Sequence, residues 1–95
     1  MKADSTTQTK LLIDEAVLGL EPFLKDLGWK TVGVKPGTSD DEVVRMAQAD
    51  NCIVITPDRR LLSRCRALGI EVIDVGFEDL ARRVNERLKT HRSEK

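Results

Sequence analysis

The chain has 95 residues, which is enough for one domain with a modest hydrophobic core and excludes a second domain. Its formal net charge is zero, but residues 1–56 carry six Lys/Arg against nine Asp/Glu, a balance of −3, while residues 57–95 carry ten against seven, a balance of +3. No apolar run approaches the ~20 residues of a membrane span and the polar start lacks a signal-peptide core, so we expect a cytoplasmic protein without a membrane partner.

Strand and helix patterns alternate in the first half of the chain. The apolar run "LLID" ends at Asp14 and predicts a strand buried on both faces. Apolar residues at helical spacing then predict a helix that Gly28 ends; they are Leu20, Phe23, Leu24 and Leu27. The second strand, "WKTVGV", has polar positions typical of a sheet edge. Ser39 and Glu42 form an S-x-x-E capping box that opens a helix reaching about residue 50.

The second half of the chain repeats this alternation. The run "CIVIT" predicts the most buried strand, and "IEVIDV" predicts the fourth. Between them lies a helix ended by Gly69, with Leu61, Leu62, Cys65 and Leu68 on its apolar side. The last helix has an apolar stripe that we expect to pack on the chain's own sheet, with a homodimer face as the alternative; the stripe comprises Phe77, Leu80, Ala81, Val84 and Leu88.

Four strands alternating with about four helices predict an α/β fold, a small three-layer sandwich around a mainly parallel four-stranded sheet. We expect the domain to span residues 10–90, between disordered tails at 1–9 and 91–95. In such sheets ligands bind at the carboxyl ends of the strands. Functional residues should therefore follow each strand.

Three carboxylates fall near this edge of the predicted sheet. Asp14 ends the first strand, while Asp40 and Asp58 continue the apolar sides of two helices towards the strand ends. Converging carboxylates repel one another unless a cation neutralises them, and oxygen ligands favour Mg²⁺ or Mn²⁺. Structural alternatives exist: Asp58 or Thr56 can cap a helix, and Asp40 can complement a helix dipole. Asp14 caps no obvious helix.

Histidine and cysteine chemistry is a poor alternative for this chain. Cys52 and Cys65 lack metal-ligand spacing and lie in apolar patterns, which predicts buried reduced thiols. His91 is the only histidine and lies in a polar tail. A mechanism with a histidine base, a Ser-His pair or a Cys-His pair is therefore disfavoured.

Four segments, "LLIDE", "LKDLGW", "TSDDEVVRMAQ" and "CIVITPDRRLL", resemble in this order the PIN-like nuclease domains. The resemblance covers about residues 11–75 and is closest to short PIN-like proteins with L-I-D-E, S-D-x-E and T-x-D motifs. It implies a metal-dependent ribonuclease with Asp14, Asp40 and Asp58 as metal ligands and Thr56 lining the site. Relatives of this kind include toxins of toxin–antitoxin pairs and RNA-processing enzymes, so an antitoxin-like protein is a further expected partner beside RNA.

Three arginines beside the third-strand motif, Arg59, Arg60 and Arg64, are predicted phosphate contacts, with solvated helix charge as the alternative. The chain departs from the family pattern in length and in its fourth acid. Asp74 is the best candidate for that acid, and the choice between one metal and two stays open. Asp79 is predicted to be structural, because it can pair with Arg82 or Arg83.

The leading hypothesis is thus an Mg²⁺- or Mn²⁺-dependent endoribonuclease. The main alternative is a catalytically degenerate PIN-like module that binds RNA or a protein partner. A receiver-like domain with Asp14 or Asp58 as phospho-acceptor is disfavoured by four strands instead of five. A phosphate-binding loop is disfavoured because "GVKPGTSDD" lacks the G-x-x-x-x-G-K-[ST] spacing.

Overall fold

A computed structural model describes residues 9–93 of the chain. Four strands form one sheet: β1 (Lys10–Ile13), β2 (Lys30–Gly33), β3 (Ile53–Thr56) and β4 (Val72–Asp74). Their order is β2-β1-β3-β4, and every neighbouring pair is parallel. The predicted parallel sheet and the edge position of β2 are both confirmed.

A 3-10 segment (Glu15–Leu20) and four α-helices connect the strands: α1 (Glu21–Asp26), α2 (Asp40–Asp50), α3 (Arg59–Ala67) and α4 (Phe77–Ser93). The Ser39 hydroxyl caps α2 by accepting the Glu42 N–H at 3.2 Å, as the S-x-x-E motif predicts. Gly69, with a φ of 74°, follows α3 in the left-handed conformation that ends helices.

Both faces of the sheet carry apolar residues, as in a three-layer sandwich. On one face, the sheet packs against α2 and α3 in a cluster that includes Leu12, Val54, Val44 and Cys65. On the other face, the 3-10 segment and α1 cover a smaller cluster around Leu11, Ile13 and Ile55. The fully buried strand residues confirm the predicted hydrophobic strands.

The first predicted helix was only partly correct. A kink at Val17, whose φ of −130° is not helical, precedes α1, and α1 has just six residues. A helix of fewer than two turns contacts the sheet along one narrow line. Leu20 and Leu24 lie on that line and are half-buried, whereas Phe23 and Leu27 are 69% and 75% exposed.

The prediction that the stripe of α4 packs on the chain's own sheet was wrong. Its large apolar residues, from Phe77 to Leu88, are exposed. The edge strand β4 has three residues, whereas α4 has 17, so the strand is too short to cover the length of the helix. The described part of the chain is accordingly elongated, with principal extents of 53 × 34 × 24 Å.

The predicted tail at residues 1–9 lies outside the described residues except for Thr9, and α4 continues to Ser93, so the domain limits stay a prediction. Among the helices of residues 9–93, none has the length and apolar character needed to cross a membrane.

Candidate active site at the carboxyl edge of the sheet

Three polar residues lie side by side where β1, β3 and β4 end. Thr56 pairs in register with Asp74, and Ile13 pairs with Ile55, so Asp14 lies level with Thr56. Asp14 also continues the ladder, since its N–H donates to the Ile55 carbonyl at 2.9 Å. Because side chains alternate along strands, the three residues share the sheet face that α2 and α3 cover.

Thr56 connects two of the predicted site acids. Its side chain is fully buried, and its hydroxyl donates to Asp14 Oδ2 at 2.5 Å. The same oxygen accepts the backbone N–H of Asp58 at 3.0 Å. We call Asp14, Thr56 and Asp58 the Thr56 junction. It fixes the end of β1 to the start of α3 through one hydroxyl group.

Asp58 has a structural role as well as its predicted catalytic one. It caps α3, because its Oδ1 accepts the Arg60 N–H at 2.9 Å. Its second carboxylate oxygen, Oδ2, makes no hydrogen bond with any residue between 9 and 93. The capping role and the presentation of a charged oxygen are therefore compatible.

Asp40 is the first residue of α2 and is half-buried. Its charge acts on α3: burial raises the pKa of the Cys65 thiol, Arg64 lowers it and Asp40 raises it. Within the described residues, no hydrogen bond or ion pair connects Asp40 to the Thr56 junction. The structure thus connects Asp14 and Asp58 through Thr56, and the role of Asp40 stays a prediction.

The carboxylates are not assembled into a ready metal site in the part of the chain from residue 9 to residue 93. No group of three or more His, Cys, Asp or Glu side chains there is close enough to hold a metal ion. The donors nevertheless have suitable chemistry, because Asp14 and Asp58 offer carboxylate oxygens. The three-ligand set of Asp14, Asp40 and Asp58 stays a prediction.

Two of the predicted phosphate-binding arginines are already paired. Arg59 contacts Glu78 at 3.3 Å and Arg64 contacts Asp41 at 2.5 Å, both at exposed positions. Arg60 makes no ion pair or side-chain hydrogen bond within residues 9–93. Exposed pairs are worth less than about 1 kcal/mol, so a phosphate can displace either acid.

Arg66 is a further candidate for a phosphate contact, and it was not among the predicted arginines. It lines a cavity of about 90 Å³ beside the junction, together with Arg59, Leu62, Ser63 and Asp74. The cavity connects α3 to the end of β4, where Asp74 Oδ1 accepts the Gly76 N–H at 2.8 Å. Arg66 follows Arg59 by seven residues, so the two side chains lie on the same face of α3. This spacing could have identified Arg66 from the sequence.

The two cysteines and Asp79 were predicted to have structural roles. Cys52 and Cys65 are free and buried, as predicted. Burial raises the pKa of the Cys52 thiol too, so neither sulfur is an activated nucleophile. Asp79 pairs with Arg82 at 3.0 Å, as predicted for a structural acid.

The parallel sheet and its flanking helices define a small α/β domain with carboxylates at the carboxyl edge, which is the edge where such sheets bind ligands. The comparison with protein families is more specific. The family model of the Mut7-C RNAse domain matches residues 9–95, which is most of the chain. The chain belongs to the Mut7-C RNAse domain family, and this membership indicates a ribonuclease-type function with RNA as substrate. No curated protein and no solved structure matches the chain.

Proposed function

We propose that the chain is a PIN-like endoribonuclease that depends on Mg²⁺ or Mn²⁺ and hydrolyses RNA phosphodiester bonds at the carboxyl edge of its sheet. The observation that supports this most directly is the Thr56 junction. Within a ribonuclease-family domain, a fully buried hydroxyl holds the carboxylate of Asp14 beside the start of the helix that Asp58 caps. No other polar side chain among residues 9–93 is buried, which makes this placement unusual.

Asp14 and Asp58 would hold the ion from the two sides of the junction, with Asp40 as the third ligand. Thr56 occupies Oδ2 of Asp14, which leaves Oδ1 for a ligand. The cap occupies Oδ1 of Asp58, which leaves Oδ2. A bound Mg²⁺ or Mn²⁺ supplies a water of lowered pKa and stabilises the charge that develops on phosphate.

The arginines of α3 would hold the RNA backbone. Arg60 has no side-chain partner among the described residues, and Arg59 and Arg66 border the cavity that leads to Asp74. Contacts from arginine to phosphate fix the orientation of a strand without reading its sequence. We therefore assign positioning to the arginines and cleavage chemistry to the carboxylates.

The first test is cleavage of a fluorescently labelled RNA with Mg²⁺ or Mn²⁺. Asp14→Asn and Asp40→Asn should each lower the cleavage rate by about 100-fold or more. Each substitution keeps the shape of the side chain but removes the negative charge that would bind the metal ion. Asp26→Asn is the matched control, since Asp26 is an exposed acid at the end of α1, and it should leave the rate unchanged. Equal rates for Asp14→Asn and Asp26→Asn would contradict the proposed site.

Metal binding can be tested without activity. Titration of Mn²⁺ into isotope-labelled protein should broaden the NMR amide resonances around residues 14, 40 and 58, and the broadening should disappear in Asp58→Asn. Broadening near 14 and 58 alone would remove Asp40 from the ligand set. The absence of localised broadening at millimolar Mn²⁺ would exclude the metal mechanism.

A second candidate is a catalytically degenerate module that binds RNA or a protein partner. This candidate is favoured by one observation: the described residues contain no assembled group of three metal-binding side chains. RNA binding without cleavage and without Mn²⁺ broadening would identify this module.

A toxin function and an antitoxin-like partner are finer expectations from the same resemblance, and a cytoplasmic location is the expectation from the lack of an apolar run. Growth arrest on expression, relieved by Asp14→Asn, would support the toxin function.

A further inference from the structure

The helix α4 exposes a continuous apolar stripe. Its large members are all substantially accessible: Phe77 82%, Leu80 49%, Val84 49% and Leu88 55%. An isolated helix of this length is marginally stable in water, and most helical stability comes from packing an apolar face. We therefore expect the apolar stripe of α4 to pack against another surface.

The spacing of the stripe is that of a helix-to-helix seam. Phe77, Ala81, Val84 and Leu88 follow one another at intervals of four, three and four residues, which are the a and d positions of two heptads. A helix of 17 residues is about 25 Å long, so the seam covers most of its length. This pattern fits a second helix of the same length.

We propose that α4 pairs in antiparallel orientation with α4 of a second copy of this chain. In this arrangement Phe77 packs against Leu88 of the second copy, and Ala81 packs against its Val84. Each of these contacts occurs twice in the interface, as expected for two-fold symmetry. The proposal concerns assembly and does not rest on the proposed nuclease activity.

The charges of α4 favour the antiparallel orientation. Its first turn is acidic, with Glu78 and Asp79, and its last turn is basic, with His91 and Arg92. Antiparallel pairing brings the acidic start of one helix beside the basic end of the other. Parallel pairing brings like ends together and places Arg87 of one helix opposite Arg92 of the other, at flanking positions where charges set orientation. The contact of Glu78 with Arg59 does not oppose this, because both side chains are more than 70% exposed.

The chain's own sheet is the competing cover. A groove of about 310 Å³ lies between the start of α4 and the 3-10 segment, and it is lined by Val17, Leu20, Phe77 and Leu80 among others. This groove involves the first turns of α4, whereas Val84 and Leu88 lie beyond it. The second half of the stripe therefore needs a different partner.

The area of the proposed interface predicts its strength. Two helices of about 25 Å bury less than the roughly 1,200–2,000 Å² of a standard stable interface. We therefore expect a weak dimer with a Kd on the order of micromolar.

Sedimentation velocity between about 1 and 200 µM tests the assembly. The wild-type chain should shift from 10.7 kDa to twice that mass as concentration rises. Leu88→Glu should weaken dimerisation by at least tenfold, because it buries a charge opposite Phe77 of the other copy. Leu27→Glu is the matched control, since Leu27 is exposed after α1, and it should dimerise like wild type.

Two outcomes would overturn the proposal. One is a wild-type chain that stays monomeric throughout or a Leu88→Glu variant that dimerises normally, since either result removes the interface. The other is a lower unfolding temperature for Leu88→Glu than for Leu27→Glu at a concentration far below the Kd, where both are monomers, which would show that Leu88 packs within its own chain.

Disulfide trapping tests the orientation. Phe77→Cys and Leu88→Cys proteins are mixed and oxidised, and mass spectrometry identifies the products. Antiparallel pairing predicts the mixed disulfide between positions 77 and 88, whereas homodisulfides at each position would contradict it. The native thiols should not interfere, because Cys52 and Cys65 are buried and burial raises the pKa of both.

Discussion

Thr56 belongs both to the buried interior and to the proposed active site. It is the one buried polar side chain among residues 9–93, and burial of a hydroxyl is costly unless its hydrogen bonds are made. Both are made here, one to Asp14 Oδ2 and one from the Asp58 N–H. The groups that satisfy Thr56 are thus the groups of the proposed site.

Thr56→Val tests the role of the hydroxyl group, because valine has a similar shape but makes neither hydrogen bond. We expect a loss of about 1–3 kcal/mol in the free energy of unfolding, since Asp14 and the Asp58 N–H each lose a partner in a part-buried hydrogen bond. Chemical denaturation measures the loss, and the cleavage assay should show a lower rate because Asp14 is no longer oriented.

Thr56→Ser is the rescue variant for this prediction. Serine keeps the hydroxyl, so cleavage should return towards wild type while a smaller stability loss of about 1 kcal/mol remains from the deleted methyl group. Thr38→Val provides a second comparison, because Thr38 donates to the Lys35 carbonyl in an exposed turn. A Thr56→Val protein with wild-type stability and cleavage would contradict a role for the junction.

At the level of secondary structure, α3 combines a helix cap with a candidate site residue. Asp58 precedes α3, and its side chain accepts the Arg60 N–H. The first turn of α3 carries Arg59 and Arg60. A capping role alone would explain an aspartate at this position. The charge of Asp58 and its capping oxygen must therefore be tested separately.

Asp58→Asn and Asp58→Ala make this separation. Asparagine caps helices about as well as aspartate, so Asp58→Asn should change the free energy of unfolding by less than about 0.5 kcal/mol, whereas Asp58→Ala should cost about 1 kcal/mol. If Asp58 is a metal ligand, both variants should lose cleavage. If it is only a cap, Asp58→Asn should cleave RNA like wild type.

The elements also show what the sequence could predict. On the apolar side of α3, Leu61, Leu62 and Cys65 were correctly predicted, because the sheet covers the helix beside it, whereas Leu68 lies after the helix and is exposed. The sides of α1 and α4 were not correctly predicted, since spacing identifies residues on one side of a helix but not the surface that covers them. Likewise, strand register places Asp14 beside Thr56, whereas the position of Asp40 depends on how α2 packs, which spacing alone does not determine.

The charge distribution of the whole molecule joins an acidic edge to basic helix surfaces. The chain has 16 basic and 16 acidic residues, yet several of the basic side chains lie on α3 next to the carboxylates of the sheet edge. RNA would be attracted by these arginines and repelled by the acids. Binding should therefore depend on salt and on which arginines are free to contact phosphate.

Arg60 is expected to contribute most clearly to this dependence, because it has no side-chain partner among residues 9–93. Each phosphate contact to single-stranded nucleic acid contributes about −0.7 to the slope of log K against log salt concentration. Arg60→Gln should therefore weaken RNA binding similarly for different sequences and make the slope shallower by about 0.7. Fluorescence anisotropy across a salt series measures both, in the Asp14→Asn background so that the RNA stays intact.

Lys30→Gln is the charge-matched control for this measurement. Lys30 begins β2 and is exposed, so it lies at the amino end of the strands, opposite the proposed site. Lys30→Gln changes the net charge by the same amount as Arg60→Gln, so a general electrostatic effect would act on both variants alike. A change in slope for Arg60→Gln alone would place the RNA backbone along α3, whereas equal changes would mean that RNA responds to the overall charge of the molecule.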